Sequence, residues 1–239
     1  MTKKMLIFFF LIPVLWACSN SSDANNDGEK ETEPGFRVVG YLPDYRIENI
    51  DVSVADQLTD VIYFSIEPHP DGSLDLGRLT LDTYFMINAL RNRNPNLKIY
   101  IAVGGWGRSE HFGKMATDST GRRQFISNLS DLCLNAGFNG ADYDWEFPAN
   151  SIENDAYGVL IAETRTEFNK NDLKISVALN VNQKLSSTAC DALHRINIMS
   201  YDHGGYHYTY DQSVLDVNNF INRSISPDNL CLGIPFYGR

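Results

Sequence analysis

Asp142, Asp144 and Glu146 alternate with Tyr143 and Trp145 in the run Gly140-Ala-Asp-Tyr-Asp-Trp-Glu146. In an extended strand this spacing puts the carboxyl groups on one face, with neighbouring Cα atoms about 6.6 Å apart, and the aromatic rings on the other. Carboxyl groups gathered on an inward face lose hydration and repel one another, so at least one holds its proton near neutral pH. A retained proton is what general acid catalysis needs. Pro148 ends the strand and so places Glu146 at its C-terminal end. A solvated acidic edge is the plainer reading, but Phe138, Tyr143, Trp145 and Phe147 mark a buried strand.

Such a strand needs a scaffold, and the flanking sequence supplies one. From Phe36 onward, short β-rich runs alternate with longer stretches of helical spacing. Strands are expected at Arg37–Leu42, Asp60–Ser65, Lys98–Val103, Gly140–Glu146, Lys174–Leu179, Ile196–Met199 and Leu230–Ile234. Helices are expected at Leu79–Arg91, Gly121–Ala136, Ala156–Asn169 and Ser213–Asn222. Near-continuously apolar strands alternating with helices imply an α/β fold with a parallel sheet covered on both faces. The bulky segment Gly40-Tyr-Leu-Pro-Asp-Tyr-Arg46 after the first strand is no phosphate-binding loop, so a (β/α)8 TIM barrel is preferred over a nucleotide-binding sheet. About seven of its strands are present before the chain stops at Arg239, and the C-terminal part of the barrel is expected to be missing. On that expectation the chain alone is poorly stable and weakly active or inactive.

The acidic run resembles the signature Asp-x-x-Asp-x-Asp-x-Glu of glycoside hydrolase family 18, the chitinase-like enzymes. Val38-Val-Gly-Tyr41 is similar to that family's first strand, and Ala102-Val-Gly-Gly-Trp106 to its Ser-x-Gly-Gly motif. Met199-Ser-Tyr-Asp202 is similar to its Met-x-Tyr-Asp, and Gly233–Arg239 to its seventh-strand segment. The resemblance runs through 36–239 in order. It implies hydrolysis of β-1,4 bonds in chitin or other N-acetylglucosamine-containing glycans by a substrate-assisted retaining mechanism, an exception to the usual two-carboxylate scheme. Carboxyls from one strand approach the sugar from one side, leaving the attack from the other face to the substrate's own 2-acetamido oxygen.

The resemblance also implies roles. Glu146 protonates the leaving oxygen and later activates water; Asp144 orients the acetamide and shares a proton with Asp142. Tyr201 hydrogen-bonds the acetamide oxygen, and Asp202 helps bind and distort the sugar. Tyr41 hydrogen-bonds Asp142, while Trp106, Met199, Tyr237 and Arg239 contribute to substrate binding. Tyr206 and Phe236 also follow strand ends, where rings stack on sugars or pack in the core.

Two positions depart from the family pattern. Asn139 replaces its first Asp and, at odd spacing, has a structural role. Ala102 replaces the Ser, which is expected to leave Asp142 short of a donor at a cost of about 1–3 kcal/mol. Two other readings stand beside the first: an endo-β-N-acetylglucosaminidase acting on the N-glycan core, and a non-catalytic surface glycan-binding lipoprotein.

Composition excludes some classes and sets the location. The formal charge of -10 is the wrong sign for neutralising phosphates, so nucleic acid is not a partner. Lys3 and Lys4 precede the apolar run Met5–Ala17, read as a lipoprotein signal peptide (1–17). The Leu15-Trp-Ala-Cys18 ending resembles a lipobox, which makes Cys18 the lipidated residue, bound to the membrane. Residues 18–35 form a flexible tether without large apolar groups. Resemblance to lipoproteins of Gram-negative bacteria implies an outer-membrane location, periplasmic or on the cell surface, and a monomer is expected. Cys133, Cys190 and Cys231 have no metal-ligand spacing and are expected to be packed as small apolar residues. No cofactor is implied. His203 and His207 have a spacing a metal can use but lack further ligands, so no metal is expected.

Overall fold

The computed structural model describes residues 36–238. The expected signal peptide, the tether, Cys18 and Arg239 lie outside the described residues. The parallel strands are β1 (Val39–Pro43), β2 (Asp60–Pro68), β4 (Lys98–Gly104), β5 (Gly140–Asp144), β6 (Lys174–Leu179), β7 (Arg195–Ile198) and β8 (Leu230–Leu232). They pair in the order β1-β2-β4-β5-β6-β7-β8, and the two-residue β3 (Leu74–Asp75) adds antiparallel to β2. Among the described residues these are seven parallel strands of a (β/α)8 barrel.

Helices α1 (Leu81–Arg93), α2 (Phe112–Thr117), α3 (Ser119–Ala136), α4 (Ser151–Phe168), α5 (Ser187–Asp191) and α6 (Tyr210–Ile221) alternate with these strands. Each long helix has a local start signal. Thr80, Asp118, Asn150 and Thr209 accept the backbone N–H groups of Thr83, Gly121, Glu153 and Gln212 respectively. Gly137 closes α3 in the left-handed region at φ 71°. The helix α4 begins five residues earlier than the sequence pattern placed it. Its polar first turn hides the apolar period, but Asn150 caps it and Glu153 reaches back to the Ala149 N–H at 2.8 Å. The short α2 and α5 were not foreseen, since about one turn carries too little periodicity to read.

Packing divides into two layers. The larger core lies between strands and helices, and includes Tyr143, Trp145, Phe112, Phe125, Tyr157 and Leu160. Inside the barrel a small apolar group of Ile62, Tyr100 and Ala102 packs with Val39 and Phe64. The described interior also carries polar side chains: Asp60, Asp142, Ser176, Arg195 and Asn197 are all buried. Register explains their proximity. Ala102 lies opposite Asp142, Asp142 opposite Ser176, and Ser176 opposite Arg195, so one level of the barrel carries all four. Cys133 is buried and Cys190 and Cys231 half-buried; all are free thiols. Among the described residues, no helix is long and apolar enough to cross a membrane.

Candidate active site

The acidic run behaves as its spacing predicts, with one adjustment. The strand β5 stops at Asp144, and Glu146 sits two residues beyond it. Behind the strand, the Tyr143 hydroxyl lies 2.7 Å from Thr164 Oγ1 on α4. The Trp145 indole stacks on Phe112 at 5.1 Å and meets Tyr157 edge-on at 5.2 Å. In front, Asp142 and Asp144 are buried and Glu146 is partly open.

Asp142 is fully enclosed but well partnered. Tyr41 donates to its Oδ2 at 2.8 Å, Asn197 Nδ2 to its Oδ1 at 2.9 Å, and the Ser176 hydroxyl also to Oδ1. The expected shortage of donors caused by Ala102 is therefore corrected: β6 supplies through Ser176 the hydroxyl that β4 lacks. Burial raises the proton affinity of Asp142, while Ser176, the Arg195 charge, Tyr41 and Asn197 pull it back. Asp144 has no such relief. Burial, then the charges of Glu146 and Asp142, hold its carboxyl well above the usual range. Its Oδ1 is buried without a hydrogen-bond partner, while the carboxyl shares a hydrogen bond with Glu146. Burial also raises Glu146, opposed by the hydrogen bonds from Asp144 and from the Trp106 backbone N–H.

The backbone around Glu146 is fixed from β4. Gly104 and Gly105 have φ of 96° and 109°, and an added Cβ would lie 2.5 Å from Asp144 O and 2.1 Å from Phe64 Cζ respectively. Gly105 N–H donates to Asp144 O at 2.6 Å. Ser109 completes the clamp: its Oγ accepts the Glu146 N–H at 3.0 Å and lies 3.1 Å from Asp144 O. The Glu146–Phe147 and Phe64–Ser65 peptide bonds are cis.

Two strands along the sheet from β5, Tyr201 is half-buried after β7. Burial, then the Asp144 charge, raises its phenol above the usual range, so it remains a proton donor. Its ring meets Tyr237 edge-on at 6.3 Å. The Tyr237 hydroxyl donates to Asp202 Oδ2 at 3.0 Å, and the His207 ring stacks on Tyr237 at 5.6 Å. Met199 is half-buried at the same strand end, and Trp106 is 79% exposed at the rim. Tyr206 and Phe236 project into solvent, so neither is core packing. Asn139 lies off the catalytic face, accepting the Ile99 N–H at 2.8 Å and tying β4 to β5. His203 and His207 face Asp216 and Asp202 respectively, and no group of metal-ligating side chains assembles among the described residues.

Sequence reasoning missed Ser109, Ser176, Arg195 and Asn197. The last three carried a readable signal, a polar residue inside an apolar strand at the parity that faces the barrel interior.

Residues 37–239 match the model of a family described as Glycosyl hydrolases family 18. "Probable chitinase 2" of Drosophila melanogaster is 25% identical over 82% of this chain and 47% of that protein. "Chitinase A1" of Niallia circulans is 24% identical over 99% of this chain and 47% of that protein. The chain thus spans about half the length of these curated relatives. Among solved structures, the GH18 chitinase ChiB from the chitin utilization locus of Flavobacterium johnsoniae superposes with a TM-score of 0.75 at 24% identity, over 84% of this chain and 68% of that one. A class V chitinase mutant from Nicotiana tobaccum, in complex with NAG4, superposes with a TM-score of 0.73 at 24% identity, over 83% and 66%.

Proposed function

The chain belongs to glycosyl hydrolase family 18, and from that premise we propose that it hydrolyses β-1,4 bonds of chitin or N-acetylglucosamine oligomers with substrate assistance. The observation that carries the reading is Asp144, held between Asp142 and Glu146 with Oδ1 buried and unpartnered. An amide N–H would fill that acceptor, and a 2-acetamido group brings one beside the anomeric carbon. Tyr201, kept protonated, donates to the acetamide oxygen and aims it at C1. Glu146 gives its proton to the glycosidic oxygen as the C1–O bond breaks, and the acetamide oxygen closes on C1 from the other face. Asp144, anionic once the shared proton sits on Glu146, faces the resulting positive oxazolinium ring. Glu146 then takes a proton from water, the water oxygen bonds to C1, and the ring opens with net retention. Asp202, held by Tyr237, supports the same sugar. Lipid anchoring through Cys18 at an outer membrane belongs to the same reading and rests on the Leu15–Cys18 sequence.

Purified protein is assayed on N-acetylglucosamine oligomers and on fully deacetylated glucosamine oligomers. Turnover of the acetylated series alone, lowered about 10²–10⁴-fold by Glu146→Gln and by Asp144→Asn, is expected. Equal cleavage of the deacetylated series removes substrate assistance; full activity of Glu146→Gln removes the acid assignment. Release of intact glycans from a high-mannose glycoprotein, with chitin oligomers untouched, moves the substrate to N-glycan cores.

A further inference from the structure

The hydrolytic scheme makes no use of the charged pair buried beneath it. Arg195 and Asp60 are each 2% exposed, and their side chains meet at 2.9 Å across the barrel interior. The Arg195 guanidinium lies over the Tyr100 ring at 5.1 Å, and its Nη2 reaches to 3.5 Å of the Ser176 oxygen. Arg37 approaches the same Asp60 oxygen at 3.9 Å. A buried ion pair contributes little to stability compared with apolar residues of equal volume. Its position adjoins the catalytic carboxylate, because Arg195 is in register with Ser176 and Ser176 with Asp142.

A hydroxyl has one proton to give, and a guanidinium only donates. With Arg195 on its acceptor side, the Ser176 oxygen keeps that proton for Asp142. We infer that Arg195 is a positioning residue: fixed by Asp60, it directs the Ser176 hydroxyl onto Asp142 and supplies the buried cation beside that carboxylate. The inference rests on the functional reading only in taking Asp142 as part of the catalytic relay. Other charged or titratable groups felt by Asp142 are Asp144 on its own strand, Tyr41 on β1, Tyr100 on β4, Cys231 on β8 and Tyr157 on α4. Of the groups around Asp142, Arg195 is the cation that favours its charged form.

The test follows the Asp142 carboxyl by NMR in protein labelled with 13C at aspartate side chains, its signal identified by loss in Asp142→Asn. The double variant Arg195→Met with Asp60→Asn leaves no unpaired charge between these two positions, and Arg195→Lys keeps the cation. The double variant is expected to titrate about one pH unit higher at Asp142, and the lysine variant near the wild-type value. The acid limb of kcat/KM on N-acetylglucosamine oligomers moves with it. An unchanged Asp142 titration in the double variant, or an equal shift in the lysine variant, overturns the inference. Shifted titration in a protein that does not cleave these oligomers upholds it while removing the proposed function.

Discussion

Removing the Ser176 hydroxyl tests whether β6 replaces the donor missing from β4. In Ser176→Ala, Asp142 Oδ1 keeps only the Asn197 amide among its side-chain donors, inside a site with no solvent exposure. A lost hydrogen bond to a buried charged acceptor costs about 1–3 kcal/mol. For a domain of this size, 2 kcal/mol lowers Tm by roughly 4–8 °C. Burial already raises Asp142 above the ordinary carboxylate range, and Ser176 is the foremost influence lowering it again. The hydroxyl favours the charged form, so its removal hurts most at high pH, where Asp142 is ionised. The deficit shrinks as pH falls through that raised pKa. Because Ala102 sits opposite Asp142 on the other side, Ala102→Ser can return a donor at the same level. The assay is thermal melting between pH 4 and 8 of wild type, Ser176→Ala and the Ala102→Ser/Ser176→Ala pair. Recovery of at least about half the lost Tm is expected in the pair. A pH-independent deficit, or a pair no better than Ser176→Ala, would refute the reasoning.

Tyr201→Phe keeps the ring and removes the donor proposed for the acetamide; kcat/KM on N-acetylglucosamine oligomers should fall about 10²-fold, while unchanged kinetics would sink that role. His194 is pushed down to about 3, by burial first and then by the Arg165 charge. Its Nδ1 accepts from Ile175 N–H at 3.2 Å and lies 2.8 Å from Arg165 Nη1, contacts that need the neutral ring. The fold therefore favours neutral His194, and this contribution is present above pH 6.5 and lost as pH falls from there towards 3. Melting of His194→Gln should depend less steeply on pH between 6.5 and 4 than wild type; equal slopes contradict the assignment. For anchoring, metabolic labelling with a palmitate analogue should mark the wild type and not Cys18→Ser, whereas equal labelling of both excludes Cys18 as the lipid site.

The sequence reading was sharpest where one strand contains its own answer. The alternation of Asp142, Tyr143, Asp144 and Trp145 shows both faces of β5 at once, because a barrel strand meets a polar site inside and helices outside. The parallel strands and long helices were readable for a similar local reason, repeated burial at a fixed period. The donors to Asp142 were less readable because they depend on register between strands. Placing Ser176 beside Asp142 requires pairing Gly140 with Lys174, more than thirty residues away. The inference that Ala102 costs a hydrogen bond considered one neighbouring strand and not the other. Ser109 was invisible for a different reason: it lies in an irregular segment after β4, where no periodicity announces which way a side chain turns.

The aromatic wall behind β5 has a consequence for how this site can change. Trp145, held between Phe112 and Tyr157, is the residue next to Glu146 along the chain, so the packing of these buried rings sets the backbone from which Glu146 projects. The orientation of the proposed acid is thus expected to respond to substitutions at Phe112 and Tyr157, both fully buried. Substitutions at Phe112 or Tyr157 offer a second, hidden set of positions for directed evolution, separate from the pocket surface and coupled to stability instead of recognition.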